Sequence, residues 1–526
     1  MPEQALPFPL PVVPPRFTPL TAAVQNRRLA QKLYAQFFSW PIERSRRILE
    51  TTPAEVWERE GQKRALYIFH QAAERVPAYK DFLKKHKINH EKVRTIKDFQ
   101  AVPPIDKKNY LDHHEASELC WDDLLGSTQM TAVSSGSSGK PYFWPRGALL
   151  EIEITFLFEL ILSQLFQNER EPTLFVNSQS MGMYIGGPFT LNAVLRIAQK
   201  GRNLNVVTPG ITIDDVIQVI SNLGKRYSRL VIAAYPPFAK DIADTGSEKG
   251  IDWREISEMK FLLFGEGYSE AWRDYLGQLV GHRSPQNVVN CYGTADAAIL
   301  AHETPNSIHL RRALISRPPS GRSVFGNGRL PTLMQYYPTL RYLEIVDGEI
   351  VLTFGSGGIP LVRYNIHDNG GLINSLSVAD HLRSVKNGPD STYAQIPFVY
   401  LFGKSDHTAT FYGLNVYPEN VKAALVHKEI RKYVTGKFQM STEYAKLTQK
   451  QYLLIRVELA PHIKPTAKLK VGVKRVIVER LRQMNAEYRK LYESIGRKAI
   501  PRVALHSWGD TRYFTVGAKQ RWKKIT

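Results

Sequence analysis

Between residues 173 and 291, short apolar runs alternate with longer segments whose apolar side chains recur every three or four positions. The runs 173–176, 205–207, 230–233, 261–264 and 288–291 read as buried strands, and segments 188–200, 213–224, 236–244 and 269–280 read as helices. This alternation predicts βαβ units and a sheet with parallel strands. Upstream, residues 25–85 have a helical period, with Leu29, Leu33 and Phe37 on one face and Ala65, Ile68, Phe69 and Ala72 on another, after a proline-rich arm over 1–25. Downstream, segments 341–344, 347–354 and 360–364 are joined by Asp-Gly and glycine-rich turns, as in hairpins. Residues 418–428 predict a helix opened by Pro418, 451–459 a strand, and 466–492 one long basic helix.

The fold class expected is α/β. A large N-terminal domain of mixed and parallel sheets flanked by helices carries a β-rich subdomain, and a small α+β domain follows. The expected boundaries are 1–90 for an N-terminal arm and helical extension packing on the large domain, 91–402 for the large domain (β-rich part about 333–400), and 403–526 for the small one. A chain of 526 residues exceeds one ordinary core, in keeping with more than one domain.

Composition changes the picture in four places. The most apolar stretch, 149–166, carries Glu151, Glu153, Glu159 and Gln164, which argues for a buried amphipathic helix and against a membrane span. Cys120 and Cys291 are the only cysteines, too few for a disulfide framework or a four-cysteine zinc site, so no structural zinc is expected. The proline-rich start lacks the positive head and apolar core of a signal peptide, and with the cysteine count this points to the cytoplasm. The net charge is +21, and residues 469–526 hold 15 Lys/Arg against 4 Asp/Glu, a net +11. Such an excess suits an acidic partner: a polyphosphate, an acidic carrier protein, nucleic acid or an anionic membrane. A solvated basic helix face would look the same.

The candidate chemistry begins at residues 131–141, where Ser134, Ser135, Gly136, Ser137, Ser138 and Gly139 precede Lys140 and Pro141. Small hydroxyl and glycine residues bring backbone N–H groups and hydroxyls close to a polyanion, and the lysine adds charge. Proline after the lysine separates this loop from the G-x-x-x-x-G-K-[ST] nucleotide pattern. Two further loops, Gly265-Glu266-Gly267 and Tyr292-Gly293-Thr294-Ala295-Asp296, place glycines and a carboxylate just past predicted strands, where open α/β sheets bind ligands.

In order along the chain, these stretches resemble the adenylate-forming superfamily, and within it the phenylacetate–CoA ligase-like branch. Residues 134–141 resemble its phosphate loop, Gly265-Glu266 its Gly-Ala-Glu turn, and 292–296 its Tyr-Gly-x-Thr-Glu motif. Arg363-Tyr364-Asn365-Ile366-His367-Asp368 resembles Arg-Tyr-x-Thr-x-Asp, and Gly403-Lys404-Ser405-Asp406 with Gly413-Leu414-Asn415-Val416-Tyr417-Pro418 resembles the hinge and its continuation. Departures are Ala295 and Asp296 for Thr-Glu, Ile366 for threonine, and Lys404 for arginine, which keeps the charge without the bidentate fork. The C-terminal Gly-Lys-x-x-Arg pattern has altered spacing in Gly517-Ala518-Lys519-Gln520-Arg521.

The resemblance implies an ATP-dependent, AMP-forming ligase that adenylates an aryl or acyl carboxylic acid and passes the acyl group to the thiol of CoA. It implies Lys519 and Asp296 as catalytic residues, with Asp296 also holding Mg²⁺. It implies Ser134–Lys140 at the ATP phosphates, and Gly265, Glu266, Gly267, Tyr292, Gly293, Thr294, Asp368 and Lys404 around AMP. Asp406 would be the hinge of a mobile small domain, and Met183, Tyr184, Gly187, Tyr235 and Phe238 would line the acyl pocket. An alternative keeps adenylation and transfers to a carrier-protein or protein thiol. An alternative of another class is a degenerate ligase fold that binds nucleic acid or an anionic membrane, the less favoured partners.

Overall fold

Four of the five apolar runs are strands buried within the sheet, the fifth, 204–207, is its partly covered edge, and their order sets where a ligand can sit. The protein is described by a computed structural model covering residues 8–16, 18, 22–125, 130–134, 141–166, 170–182, 185–316, 331–375, 377–378, 395–404 and 409–514. A hairpin of β1 (Met130–Ser134) and β2 (Tyr142–Arg146) precedes the main sheet. Then come β3 (Thr173–Ser178), β4 (Leu204–Val207), β5 (Arg229–Ala234), β6 (Glu258–Phe264) and β7 (Val288–Thr294). These five run parallel in the order β4-β3-β5-β6-β7. β3 and β5 are buried at every position, which leaves no polar face to alternate and explains the apolar runs 174–176 and 230–234 within them.

The sheet then turns antiparallel through β8 (Ala298–His302), β9 (Thr332–Gln335), β10 (Tyr342–Val346), β11 (Glu349–Phe354), β12 (Leu361–Ile373) and β13 (Phe398–Lys404). The β-rich part therefore extends the parallel sheet into one sheet of eleven strands, where the sequence suggested a distinct subdomain. The link between β8 and β9 is a single pair, His302 with Gln335, which no local pattern announces. Beyond it lie the hairpin β14 (Ala409–Phe411) and β15 (Leu414–Val416), and a three-stranded sheet of β16 (Val434–Tyr444), β17 (Gln451–Leu459) and β18 (Arg502–His506). One apolar cluster runs from Ile232, Phe238 and Ile242 in the large part into Phe411, Phe438 and Ile455 in the small one.

Two further expectations need correction. The helix Ala148–Leu165 is buried on all sides, not on one face. Its carboxylates are accommodated by ion pairs: Glu151 with Arg146 at 2.9 Å, Glu153 with Arg341, and Glu159 with Lys200 at 2.7 Å. The long basic helix is two helices, Ala467–Met484 and Ala486–Ile495. Asn485 separates them because its side chain accepts the N–H of Tyr488 at 2.9 Å and donates to the carbonyl of Asn415 at 2.8 Å. A short amide side chain that bonds backbone groups competes with continued helix. Among the described residues, no helix is long and apolar enough to cross a membrane.

Glu153→Ala leaves the Arg341 guanidinium, 1% exposed, without its carboxylate. We expect a loss of about 3–5 kcal/mol, read as a lower urea midpoint at unchanged slope.

Candidate active site

The carboxyl ends of β3, β5, β6 and β7 open on one cavity of about 930 Å³. Gln179 and Ser180 follow β3, Tyr235 follows β5, residues 265–267 follow β6, and 292–296 close β7. Strand β12 adds residues 364–368, and the small C-terminal part adds Tyr412, Gly413, Gln451 and Glu487.

Two tyrosine–aspartate pairs define one side. Tyr292 donates its hydroxyl to Asp368 Oδ2 at 2.6 Å, and Tyr364 donates to Asp296 Oδ2 at 2.6 Å. Each pair joins β7 or its loop to β12, so two motifs separated by about 70 residues meet as neighbours. Burial, and then the adjacent carboxylate, raises both phenols well above their ordinary value, so both remain donors. β12 presents these groups through register shifts along β11 and through left-handed backbone at Arg363 (φ 50°) and His367 (φ 58°). Arg363 itself is turned away: it meets Glu344 at 3.2 Å and the carbonyls of Gln100 and Val102. His367 bridges Asp106 and Glu349, each at 3.1 Å, and the Asp106 hydrogen bond raises its pKa despite burial. Lys404 pairs through its backbone with Asp368.

Lys107 also belongs to the site and was missed by the motif reading. Ile105 forms a bridge with Tyr364, its N–H donating to Arg363 O at 3.0 Å, which lays residues 103–107 beside β12. Lys107 Nζ then sits 3.5 Å from Asp296, over the rings of Tyr142 and Trp144 at 5.1 and 5.7 Å. A lysine after a Pro-Pro-Ile-Asp turn carries no periodic signal, and only this long-range bridge reveals its place.

The other side of the cavity is apolar. Phe238, 2% exposed, and Tyr235 line it with Ile185, Phe189 and Phe264. Gly186 lines it, whereas Gly187, expected there, is buried in the helix Gly186–Gln199, its N–H donating to Ser180 O at 3.2 Å and its carbonyl accepting from Asn177 at 2.8 Å. Tyr235 is more than a wall: its ring lies against Gly265 (φ 91°) and Gly413 (φ 74°). A Cβ at Gly413 would fall 2.3 Å from that ring, and at Gly265 2.9 Å from the Gly413 Cα, so both positions need glycine.

Glu266 lines the cavity with its carboxylate toward the small part, where Gln451 Nε2 lies 2.8 Å from both oxygens. Burial pushes this carboxyl up to about 8, against the lowering effect of the Gln451 hydrogen bond. Ser134, at the end of β1, accepts from Trp144 Nε1 at 2.9 Å and lines the cavity. Gly293 and Thr294 line it too, and Thr294 Oγ1 accepts the Ala297 N–H at 3.1 Å. Residues 135–140, Met183, Tyr184, Asp406, Lys519 and the side chain of Lys404 lie outside the described residues.

Among the described residues, no cluster of three His, Cys, Asp or Glu side chains could hold a metal on its own. Asp296 offers one carboxylate, 9% exposed, at the cavity wall. That suits Mg²⁺, which binds through one or two carboxylates together with substrate phosphates and water.

No protein-family model matches the chain. A phenylacetate–coenzyme A ligase of Thermus thermophilus is 22% identical over 382 residues, covering 72% of this chain and 77% of that protein. A 2-hydroxyisobutyryl-CoA ligase, solved with 2-HIB-AMP and CoA in its thioesterification state, superimposes with a TM-score of 0.61 at 16% identity, covering 90% of this chain and 91% of that one. The same ligase in a postadenylation state with 2-HIB-AMP superimposes with a TM-score of 0.52 at 16% identity, covering 91% and 90%.

Proposed function

We propose, for a chain with the fold of the adenylate-forming superfamily and phenylacetate–CoA ligase-like in sequence, that it activates a carboxylic acid with ATP and transfers the acyl group to a thiol, that of CoA. The observation that carries the reading is the meeting of Tyr292–Asp368 and Tyr364–Asp296 on one cavity beyond the parallel strands.

Each residue then has a task. Asp368, held by Tyr292, accepts from the ribose hydroxyls. Gly265 and Gly293 line the adenine side; their missing side chains make room for Gly413 and Tyr235 at the first and for the Ala298 carbonyl at the second. The apolar wall of Phe189, Tyr235, Phe238 and Phe264 receives the acyl group. A carboxylate oxygen of the substrate attacks the α-phosphorus of ATP, the bond to pyrophosphate breaks, and acyl-AMP forms. Asp296 would hold Mg²⁺, which when bound would neutralise phosphate charge. Lys107 adds a fixed cation on the same side, and Lys140 and Lys519 complete the set as residues implied by the resemblance. A thiolate then attacks the acyl carbon, and AMP departs with the carboxyl oxygen. The small domain, 403–526, swings about Asp406 between the two steps. Its net charge of +11 over 469–526 suits the phosphates of CoA, and equally an acidic carrier protein as acceptor.

Lys107→Ala is expected to weaken ATP more than AMP, by roughly ten-fold, because the lost charge faces the phosphates. Equilibrium binding of the two nucleotides checks it. The activity is tested with purified protein, ATP, CoA and a panel of aryl and short acyl acids. Equimolar AMP, pyrophosphate and acyl-CoA with at least one acid is the expected result. Pyrophosphate release without acyl-CoA would favour the carrier-thiol acceptor.

A further inference from the structure

The small part is docked on the large one through a set of contacts that converge on the loop 412–415. Gln451 opens β17 and stands at their centre. Its Oε1 accepts the backbone N–H of Tyr412 at 2.8 Å, which fixes the amide so that Nε2 faces Glu266 at the end of β6. Tyr412 in turn donates its hydroxyl to Asp241 of the helix Pro236–Glu248 at 3.1 Å, and Lys498 reaches the other oxygen of Asp241 at 3.1 Å. Gly413 lies under the ring of Tyr235. Ser494 adds a hydrogen bond to the carbonyl of Ile211 at 2.7 Å. A loop held directly by the large part at Asp241 and Tyr235, and through Gln451 at Glu266, is placed over the cavity it lines.

We propose that Glu266 and Gln451 are positioning residues for the thiol-transfer step: their hydrogen bond docks the 412–415 loop in the arrangement in which the small domain closes on the acyl-adenylate. This inference rests on the ligase reading above. Neither residue touches reacting atoms. Gln451 reports the large part's carboxylate to the loop through one rigid amide.

Docking has a proton attached to it. Facing the Glu266 carboxylate are the Gln451 amide and the phenols of Tyr444 and Tyr412, while Asn290 donates to its backbone carbonyl at 3.0 Å. Among the described residues, no lysine, arginine or histidine forms an ion pair with it. Docked, desolvation pushes the carboxyl up to about 8, whereas a solvated one lies at about 4.3. The docked state therefore binds the extra proton between these values. Docking is favoured as pH falls through that window and weakens as pH rises toward 8.

The test uses the full chain with spin labels at Glu248→Cys and Lys468→Cys, both exposed and on the two parts; Cys120 and Cys291 are buried. Inter-label distances are read at pH 5 and pH 8, with and without an acyl-adenylate. The expected result is a short-distance population that grows at pH 5. Gln451→Ala should lose it, and Glu266→Gln, which mimics the protonated acid, should keep it at both pH values. An unchanged distribution in Gln451→Ala, or a surviving pH response in Glu266→Gln, would overturn the proposal. In the reaction, Gln451→Ala should slow thioester formation from supplied acyl-adenylate roughly ten-fold while ATP–pyrophosphate exchange stays within about two-fold. Equal losses in both steps would overturn it as well. Absence of exchange in the unmodified chain with every acid would overturn the ligase reading alone, since the distances are read without turnover.

Discussion

Asp368→Ala will weaken nucleotide binding by roughly 10- to 150-fold, the equivalent of about 1.5–3 kcal/mol for losing a charged acceptor. Asp368 is 6% exposed, so its carboxylate cannot be replaced by bulk water without reorganising the strand. Tyr292 orients the carboxylate through one oxygen at 2.6 Å, and Asp368 lines the cavity. Tyr292→Phe separates the two contributions. It keeps the carboxylate and removes only its orienting donor, so its effect should be the smaller one. Titration of ATP and AMP against both variants reads this directly. Equal, negligible losses would mean that the ribose is held elsewhere.

Lys519→Ala will slow adenylation by roughly 10²–10³-fold and leave thioester formation from supplied acyl-adenylate nearly unchanged. The reasoning is electrostatic. Negative charge crowds at the α-phosphate as the carboxylate attacks, whereas the second step begins after pyrophosphate has gone. Lys107 cannot substitute, because Asp296 and the Tyr142 and Trp144 rings fix it at the cavity wall. Single-turnover rates of the two steps, measured apart, decide the matter. Equal effects on both would assign the role to another lysine.

How far the sequence carried the structure depends on whether the signal was local. The parallel strands were legible because burial on both faces forces continuous apolar runs, as in 230–234. Asp296 and Asp368, singled out by motif order, both line the cavity. What stayed hidden depends on distant partners. Lys107 reaches the site because Ile105 pairs with Tyr364, some 260 residues on. Gln451 looks like the first residue of a strand until Glu266 is placed opposite it. Tyr235 was expected in the acyl pocket, and it also packs against Gly413 across the junction. The break at Asn485 arises from a carbonyl of Asn415, outside the helix whose period suggested continuity. Charge pairing at Glu151, Glu153 and Glu159 likewise turned an expected one-sided helix into a fully buried one.

The central claim, that the cavity between the sheet and the small part adenylates a carboxylic acid, is tested most directly by ATP–pyrophosphate exchange. The purified chain is incubated with ATP, labelled pyrophosphate and single acids from an aryl and short acyl panel, without any thiol. Label should enter ATP only when a suitable acid is present, and that signal should be lost in Asp296→Ala. Exchange absent with every acid, together with salt-sensitive binding to nucleic acid or anionic vesicles, would contradict it.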